Sequence, residues 1–206
     1  MSALWFRFCR GLCQIYFRLF HHIRYIGLDN IPKEGGFFIA SNHESFFDPP
    51  AVGGDVERKM FFLARKSLFK PPIMDKLLPT IRALPVDQEK PDMTGLKRII
   101  DIAKNGDGVL LFPEGSRTED GNLQPAAPGL GLAIAKSGAL VIPARIFGAF
   151  AAWPRHGKPR LFKPITVVYG KPISFKDSPH VQGKNYQAIS DEVMAAIGQL
   201  QVDQSQ

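Results

Sequence analysis

A short apolar run at residues 37–40, FFIA, is the feature that most constrains how this chain folds. The run follows a Gly-Gly pair at residues 35–36 and contains no polar residue, which is typical of a strand buried on both faces. After one intervening residue, Ser41, comes the polar cluster NHESFFD at residues 42–48. Because ligands of open α/β sheets bind at the carboxyl ends of the strands, we predict that this cluster belongs to a functional site.

The cluster contains a histidine and an aspartate, His43 and Asp48, five positions apart. A tight loop can hold the carboxylate against one imidazole nitrogen and leave the other free, which makes the pair a general base with an orienting group. No Ser or Cys in the cluster is obviously placed as a nucleophile, so we expect the substrate to supply the attacking hydroxyl. The pattern therefore indicates group transfer to an alcohol. The alternative role for Asp48, which precedes two prolines, is a helix N-cap.

A second polar cluster, FPEGSR at residues 112–117, also follows an apolar run, at residues 109–111. Two such clusters at the ends of two strands indicate one shared site. The simpler alternative for Glu114 and Arg117 is a surface ion pair at a strand end.

Together the two clusters resemble the first and third motifs of the glycerolipid acyltransferases, the family typified by 1-acylglycerol-3-phosphate acyltransferase. LPVD at residues 84–87 and VIP at residues 141–143 stand in the places of the second and fourth motifs. The resemblance implies transfer of a fatty acyl group from acyl-CoA or acyl carrier protein to the free hydroxyl of 1-acylglycerol-3-phosphate (lysophosphatidate), which forms phosphatidate. It implies no metal or redox cofactor.

By this resemblance, His43 takes the proton of the acceptor hydroxyl and Asp48 holds the imidazole in the correct tautomer. Backbone N–H groups around the third-motif glycine or the His43 loop are expected to stabilise the oxyanion. The third motif is expected to bind the acceptor through Glu114, Gly115, Ser116 and Arg117. Further candidates for the acceptor site or its wall are Asn42, Pro143 and Arg145.

Two departures from the family pattern remove cations from the acceptor site, because Gln88 and Ala127 stand where relatives commonly carry Arg and Lys. The same departures, with RIFG at residues 145–148 and the basic stretch at residues 153–163, are similar to the 2-acylglycerophosphoethanolamine acyltransferases, which gives an alternative acceptor. A hypothesis of a different class is a catalytically silent membrane or lipid-binding protein, which the presence of the His-Asp pair disfavours. The candidates to replace the two lost cations are Arg82, Arg145, Arg155 and Lys158.

The formal charge of +7 and the pI near 9.5 fit an anionic partner, namely nucleic acid, an acidic carrier or an anionic membrane. The sequence carries no recognised nucleic-acid-binding motif, so we predict no nucleic-acid partner. Residues 3–22 favour a membrane surface, because polar residues share one helical face and apolar residues cover the remainder. The alternative is a helix packed on its own domain. The polar residues are Arg7, Arg10, Gln14, Arg18 and His21.

We predict an amphipathic membrane-surface helix over residues 1–22 and a single acyltransferase domain over residues 23–206, peripheral or monotopic on the cytoplasmic face of a membrane. Strand-like runs alternate with helical patterns, so the fold class is α/β. The resemblance adds a sandwich in which a largely parallel, roughly seven-stranded sheet lies between helices. It also suggests an acyl channel lined from residues 60–78, for which the alternative is plain hydrophobic core. Asp92 is predicted to cap a helix that ends at Gly106.

Overall fold

The structure, a computed structural model, describes residues 3–87 and 92–202. Within these residues, one sheet contains the strands β1 Arg24–Ile26, β2 Phe37–Ser41, β3 Met60–Arg65, β4 Ala83–Val86, β5 Gly108–Leu111, β6 Leu140–Phe147 and β7 Thr166–Tyr169. The α-helices are α1 Ala3–His21, α2 Asp48–Gly53, α3 Pro72–Leu77, α4 Met93–Lys104, α5 Gly129–Ser137, α6 Ala149–Ala152, α7 Pro179–Gln182 and α8 Tyr186–Gln199. Short 3-10 turns cover Leu28–Asn30, Lys66–Phe69 and Leu78–Ile81.

The strand order is β1-β7-β6-β2-β5-β3-β4, and every neighbouring pair is parallel except β6 with β7. Parallel strands need crossover connections, which the intervening helices provide here. The predicted α/β fold, with a largely parallel seven-stranded sheet, is confirmed. Strand β2 lies at the centre of the sheet, with β5 on one side and β6 on the other.

Strand β2 is buried on both faces, as its apolar run predicts. Phe37 and Ile39 belong to one core cluster, while Phe38 and Ala40 belong to the other. This division follows from the strand geometry, since successive side chains point to opposite faces. Helices α1, α2 and α6 contribute to the first cluster, and α4, α5 and α8 contribute to the second.

Local chemistry explains where the elements begin and end. Asp92 caps α4 as predicted, because its side chain accepts a hydrogen bond from the Gly95 N–H at 2.8 Å. The 3-10 turn Lys66–Phe69 is followed by α3, in which Pro72 occupies the first turn, where a proline is tolerated. Strand β4 begins at Ala83, directly after Arg82, whose left-handed backbone with φ of 62° follows the preceding 3-10 turn.

Helix α1 packs on the domain through its polar side. Arg10 Nε and Gln14 Nε2 donate to the Gly54 carbonyl at 2.8 and 2.9 Å, and Arg18 lies 3.3 Å from Asp55. The polar side of the helix therefore packs on the domain, as the second alternative expects, whereas a membrane contact of the opposite, apolar face stays a prediction. The side chains on the outward face are 41–76% exposed, and they are Leu4, Trp5, Phe8, Leu12, Ile15 and Leu19.

No helix in the described part of the chain is both long and apolar enough to cross a membrane.

Candidate active site

His43 and Asp48 meet in the loop between β2 and α2. His43 Nδ1 lies 2.7 Å from Asp48 Oδ2, which also accepts hydrogen bonds from the backbone N–H groups of Glu44 at 2.6 Å and Ser45 at 2.7 Å. With Asp48 ionised, Nδ1 carries the proton and Nε2 is left as the basic nitrogen. Asp48 is fully buried, and this burial raises its pKa while the hydrogen bonds from His43, Ser45 and Glu44 oppose the shift.

The predicted N-cap role of Asp48 does not occur. Asp48 is the first residue of α2, the N-cap position is Phe47, and no side chain caps the helix. The carboxylate instead bonds back to the loop that precedes it. Pro49 and Pro50 fit the first turn of α2, because the N–H groups of a first turn have no hydrogen-bond partner inside the helix and proline has no N–H.

The second polar cluster holds the His43 loop in place. The register sets Ala40 of β2 opposite Leu111 of β5, so the residues that follow both strands emerge together. The His43 ring stacks on Phe112 with the ring centroids 3.9 Å apart and the planes 13° apart. The His43 N–H donates to Glu114 Oε1 at 3.0 Å, and the Thr118 N–H donates to the His43 carbonyl at 2.8 Å. The two clusters therefore form one site.

Glu114 accepts hydrogen bonds from the backbone on both of its carboxylate oxygens, from His43 N at 3.0 Å and from Gln124 N at 3.3 Å. Within the described residues it forms no ion pair with Arg117, so the surface ion-pair alternative is wrong. Burial raises the pKa of Glu114 to about 7. The carboxylate thus fixes the loop that carries His43, and its role in binding the acceptor stays a prediction.

Arg117 lies over the ring of Phe46, with its Cζ 3.5 Å from the ring centroid. Its Nη1 is buried without a hydrogen-bond partner in the described part of the protein. Burial, followed by the positive charges of Arg155 and Arg65, lowers the pKa of Arg117. Three guanidinium groups therefore act on one another beside the His43 loop.

A cavity of about 530 Å³ opens beside His43 and runs beneath the N-terminal half of α1. Its wall carries His43, Ser116 and Arg117 at one part and mainly apolar side chains elsewhere. Phe62, Leu68 and Leu78 come from the segment predicted to line an acyl channel, whereas the contribution of α1 was not predicted. The α1 residues that line the cavity are Phe6, Cys9, Arg10 and Cys13.

Three predicted wall residues serve other contacts. Asn42 is buried and bonds to both the N–H and the carbonyl of Ile146 in β6, at 2.8 and 3.1 Å. Arg145 donates to the carbonyls of Gly198 at 2.8 Å and Leu200 at 3.1 Å, which ties β6 to the end of α8. Pro143 lies within β6 opposite Ala40 and does not line the cavity. These residues support the sheet beneath the site.

The candidate replacement cations do not all lie at the site. Arg155 donates to the Arg117 carbonyl at 2.9 Å and pairs with Glu119 at 3.0 Å, so it lies at the site. Arg82 lies over Phe6, with its Cζ 4.0 Å from the ring centroid, and Lys158 is exposed in the loop after α6. Gln88, one of the two departures, falls outside the described residues.

Residues 22–147 match the acyltransferase family model, and the chain is 30% identical over 194 residues to a 1-acyl-sn-glycerol-3-phosphate acyltransferase of Bacillus subtilis, covering 92% of both chains. This chain belongs to the acyltransferase family. It is also 29% identical over 164 residues to a chloroplastic 1-acyl-sn-glycerol-3-phosphate acyltransferase of Arabidopsis thaliana, covering 75% of this chain and 44% of that protein. The crystal structure of the 1-acyl-sn-glycerophosphate acyltransferase of Thermotoga maritima has the same fold, with a TM-score of 0.69, 21% identity and coverage of 96% of this chain and 83% of that one.

Two residues of this acyltransferase were missed from the sequence. Glu44 accepts from Asn42 Nδ2 at 2.9 Å and from the Phe150 N–H at 3.1 Å, and burial raises its pKa to about 7. Arg65 ends β3 and lines the cavity. The strand-end rule that found the two polar clusters would have found Arg65, because β3 lies beside β5 and points the same way.

The expected oxyanion donors of the acyltransferase are largely engaged inside the protein. The N–H groups of His43, Glu44 and Ser45 donate to carboxylates, and the Gly115 N–H donates to the Phe112 carbonyl at 3.0 Å. Gly115 has a φ of 73°, which allows this tight turn. These four amides therefore form hydrogen bonds within the two loops of the site.

Proposed function

We propose that this acyltransferase moves a fatty acyl group from acyl-CoA or acyl carrier protein to the free hydroxyl of lysophosphatidate, which yields phosphatidate. The observation that carries the proposal is the position of the His43–Asp48 pair at one end of an apolar cavity, with Arg117 beside it. The names of the Bacillus and Arabidopsis relatives support the same reaction. In this proposal the catalytic residues are His43 and Asp48.

The reaction begins when His43 Nε2 removes the proton from the acceptor hydroxyl as its oxygen attacks the thioester carbonyl. Asp48 keeps the proton on Nδ1 and stabilises the imidazolium that forms. The tetrahedral intermediate then collapses, the C–S bond breaks, and the imidazolium returns the proton to the departing thiolate. The thioester is already activated, so no nucleophile from the protein is required.

The acceptor phosphate binds, in this proposal, to Arg117 with help from Arg65 and Arg155. The buried Nη1 of Arg117 has no partner in the described residues, and burial together with the positive charges of Arg155 and Arg65 lowers the pKa of this guanidinium. A phosphate relieves both conditions, because guanidinium and phosphate form charge-assisted, often bidentate hydrogen bonds. Arg65 and Arg155 thereby take the place of the two cations that relatives commonly carry and that this chain lacks at positions 88 and 127. Gly115 shapes the turn that presents Ser116 and Arg117.

The acyl chain occupies the apolar cavity. Its volume of about 530 Å³ lies within the range of small-molecule sites, and phenylalanine, leucine and cysteine side chains supply apolar surface along it. The acyl chain of the substrate therefore runs between β3 and α1. This position places the acyl group close to the helix that we assign to the membrane surface.

Residues 1–22 form, in this proposal, the membrane-surface element of an acyltransferase domain that covers residues 23–206 and acts on the cytoplasmic face. Helix α1 is held by its polar side and presents a row of exposed apolar side chains. Such a face is stable in the interfacial region of a bilayer, where burial of apolar area drives binding. A lipid acceptor and the cavity then lie on the same side of the protein.

The function is tested by giving the purified protein one labelled acyl donor and a panel of lysophosphatidate, lysophosphatidylethanolamine and monoacylglycerol. We expect acylation of lysophosphatidate, and we expect Arg117→Ala to raise its KM by roughly 10- to 150-fold, the equivalent of losing a charged hydrogen bond of about 1.5–3 kcal/mol. Arg98→Ala, on the exposed side of α4, is the control and keeps the wild-type KM. If only lysophosphatidylethanolamine is acylated, that lipid and not lysophosphatidate is the acceptor. Binding without turnover of any acceptor would overturn the enzyme assignment.

A further inference from the structure

A loop between α6 and β7 carries two exposed apolar side chains that the proposed reaction does not use. This loop, residues 153–165, is called the basic loop here, and it leads from the end of α6 back to the sheet. Leu161 is 46% exposed and Phe162 is 65% exposed. Exposure of two adjacent large apolar side chains on a loop indicates a contact surface when other features support it.

The backbone of the basic loop holds Phe162 in an unfavourable conformation. Its φ is 59°, in the left-handed region that bulky side chains rarely adopt. The Phe162 N–H donates to the Phe20 carbonyl at 2.8 Å, and this bond to the last turn of α1 fixes the residue. A strained residue whose side chain is left in solvent is typical of a functional contact.

The basic loop is joined rigidly to the end of α1. The Ile165 N–H donates to the His21 carbonyl at 3.0 Å, and His21 Nδ1 lies 3.0 Å from the Lys163 carbonyl. The Phe162 ring centroid lies 6.1 Å from that of Phe20. Phe162 therefore lies against the last turn of α1, which also carries the exposed Leu19, and Leu161 is the residue before it.

The basic loop has the charge of a surface that binds anions. Its sequence, WPRHGKPRLFKPI, contains five Arg, Lys or His residues and no Asp or Glu. Arg155 and His156 pair with Glu119, while Lys158, Arg160 and Lys163 are exposed around the two apolar side chains. Apolar side chains ringed by cations match a bilayer that carries anionic lipids, since each cation near such a surface adds to binding.

We propose that the basic loop is a second membrane contact, in which Leu161 and Phe162 enter the interface of an anionic bilayer and Lys158, Arg160 and Lys163 bind lipid headgroups. The inference rests on the proposed membrane placement of α1 and adds a second point of attachment at the opposite end of that helix from the cavity. Two contacts on one rigid body hold the protein in a defined orientation, whereas one helix permits it to roll.

The test compares binding of the full chain to vesicles of phosphatidylcholine, with and without phosphatidylglycerol, at low and high salt. We expect the double variant Leu161→Ser with Phe162→Asn to lower vesicle partitioning by at least about tenfold at both salt concentrations, because apolar burial is lost. Asn suits position 162 because it tolerates a positive φ. We expect a triple variant, Lys158→Gln with Arg160→Gln and Lys163→Gln, to lower binding to anionic vesicles alone and to flatten the salt dependence.

The control is Met93→Ser, which removes a 64% exposed apolar side chain from α4, on the face of the sheet opposite α1. Thermal unfolding and turnover of detergent-dispersed substrate should match wild type in all variants. Wild-type partitioning by the double variant, or a loss no larger than that of Met93→Ser, overturns the proposal for the loop alone. Lost binding to purified acyl carrier protein with unchanged vesicle binding also overturns it, in favour of a protein partner. Absence of vesicle binding by the wild-type protein overturns the membrane placement of α1 and the loop together.

Discussion

His43 is oriented by contacts on three sides. Asp48 holds Nδ1, Phe112 stacks against the ring, and Glu114 accepts from the backbone N–H. Asp48 uses one oxygen, Oδ2, for all three of its hydrogen bonds, while Oδ1 has no partner in the described residues. This asymmetry allows the geometry and the charge of Asp48 to be separated by mutation.

We expect His43→Ala to lower kcat by roughly 10² to 10⁴, the usual contribution of a general base. Asp48→Asn should lower kcat less, because the amide oxygen can replace Oδ2 and keep the imidazole in place while the negative charge is lost. Both variants are assayed for turnover and checked for folding by circular dichroism. Near-normal turnover of folded His43→Ala, or an equal loss in Asp48→Asn, would contradict this account of the pair.

Glu44 provides a prediction about pH. Its folded-state pKa of about 7 lies above the usual value for a free Glu side chain, so the folded protein binds more protons than the unfolded chain between about pH 4.5 and 7. This group's contribution to stability therefore falls as pH rises through that window and is constant above it. Glu44→Gln places an NH₂ group against one of two N–H donors and should destabilise the protein, more at pH 5 than at pH 8.

Urea unfolding at the two pH values measures the free-energy difference between wild type and Glu44→Gln. Glu192→Gln is the matched control, because Glu192 lies exposed on α8. A destabilisation by Glu44→Gln that is the same at both pH values, or larger at pH 8, would show that the Glu44 carboxyl is not held protonated as described.

At the scale of elements, α1 packs on its domain through polar side chains, whereas a surface helix usually packs through its apolar stripe. Arg10 and Gln14 face the protein and donate to the Gly54 carbonyl, while Phe8, Leu12 and Ile15 face outward with exposures of 53–56%. A helix with this orientation in water exposes apolar area without compensation. It gains free energy only when another apolar phase covers that face.

We expect replacement of Phe8, Leu12 and Ile15 by Gln to abolish most vesicle binding at every salt concentration while thermal unfolding changes little. Gln keeps the helix propensity high, so the loss reports the apolar face and not the helix. Flotation of the protein with vesicles measures the effect, and Met93→Gln serves as the control. Undiminished flotation would place the membrane contact elsewhere on the protein.

At the scale of the whole molecule, the cavity lies between α1 and the sheet. Cys9 and Cys13 come from the helix, and Phe62 and Leu63 come from β3. Neither element encloses the space alone. In the proposed placement, the helix that contacts the membrane is therefore also a wall of the site, which would couple attachment to the geometry of acyl binding.

A bulky side chain on that wall should shorten the acyl chain that the enzyme accepts. We expect Cys9→Phe to lower kcat/KM for long-chain donors by tenfold or more and to spare medium-chain donors, because the added ring fills part of the cavity. Cys9→Ala leaves the volume open and should keep the wild-type preference. An equal loss for all chain lengths would mean that the acyl group does not lie against α1.

Much of the fold was determined by local sequence. The apolar runs of β2 and β5 predict buried strands because burial on both faces tolerates no polar side chain, and the capping of α4 by Asp92 depends on residues within one turn. The closeness of His43 and Asp48 also follows from a short loop. The joining of the two polar clusters follows from parallel strands, whose carboxyl ends lie at one edge.

Other features depended on contacts between distant residues, which spacing along the chain does not encode. The period of α1 defines two faces, but the Gly54 carbonyl and Asp55 decide which one packs. Likewise, Arg65, Arg117 and Arg155 come from separate segments and gather only because of the strand order and the path of the loop after α6. The sequence by itself thus determined the strands and the His-Asp loop, whose causes are local. The tertiary structure alone decided the orientation of the helix, the cavity and the arginine cluster, since each needs partners brought from afar.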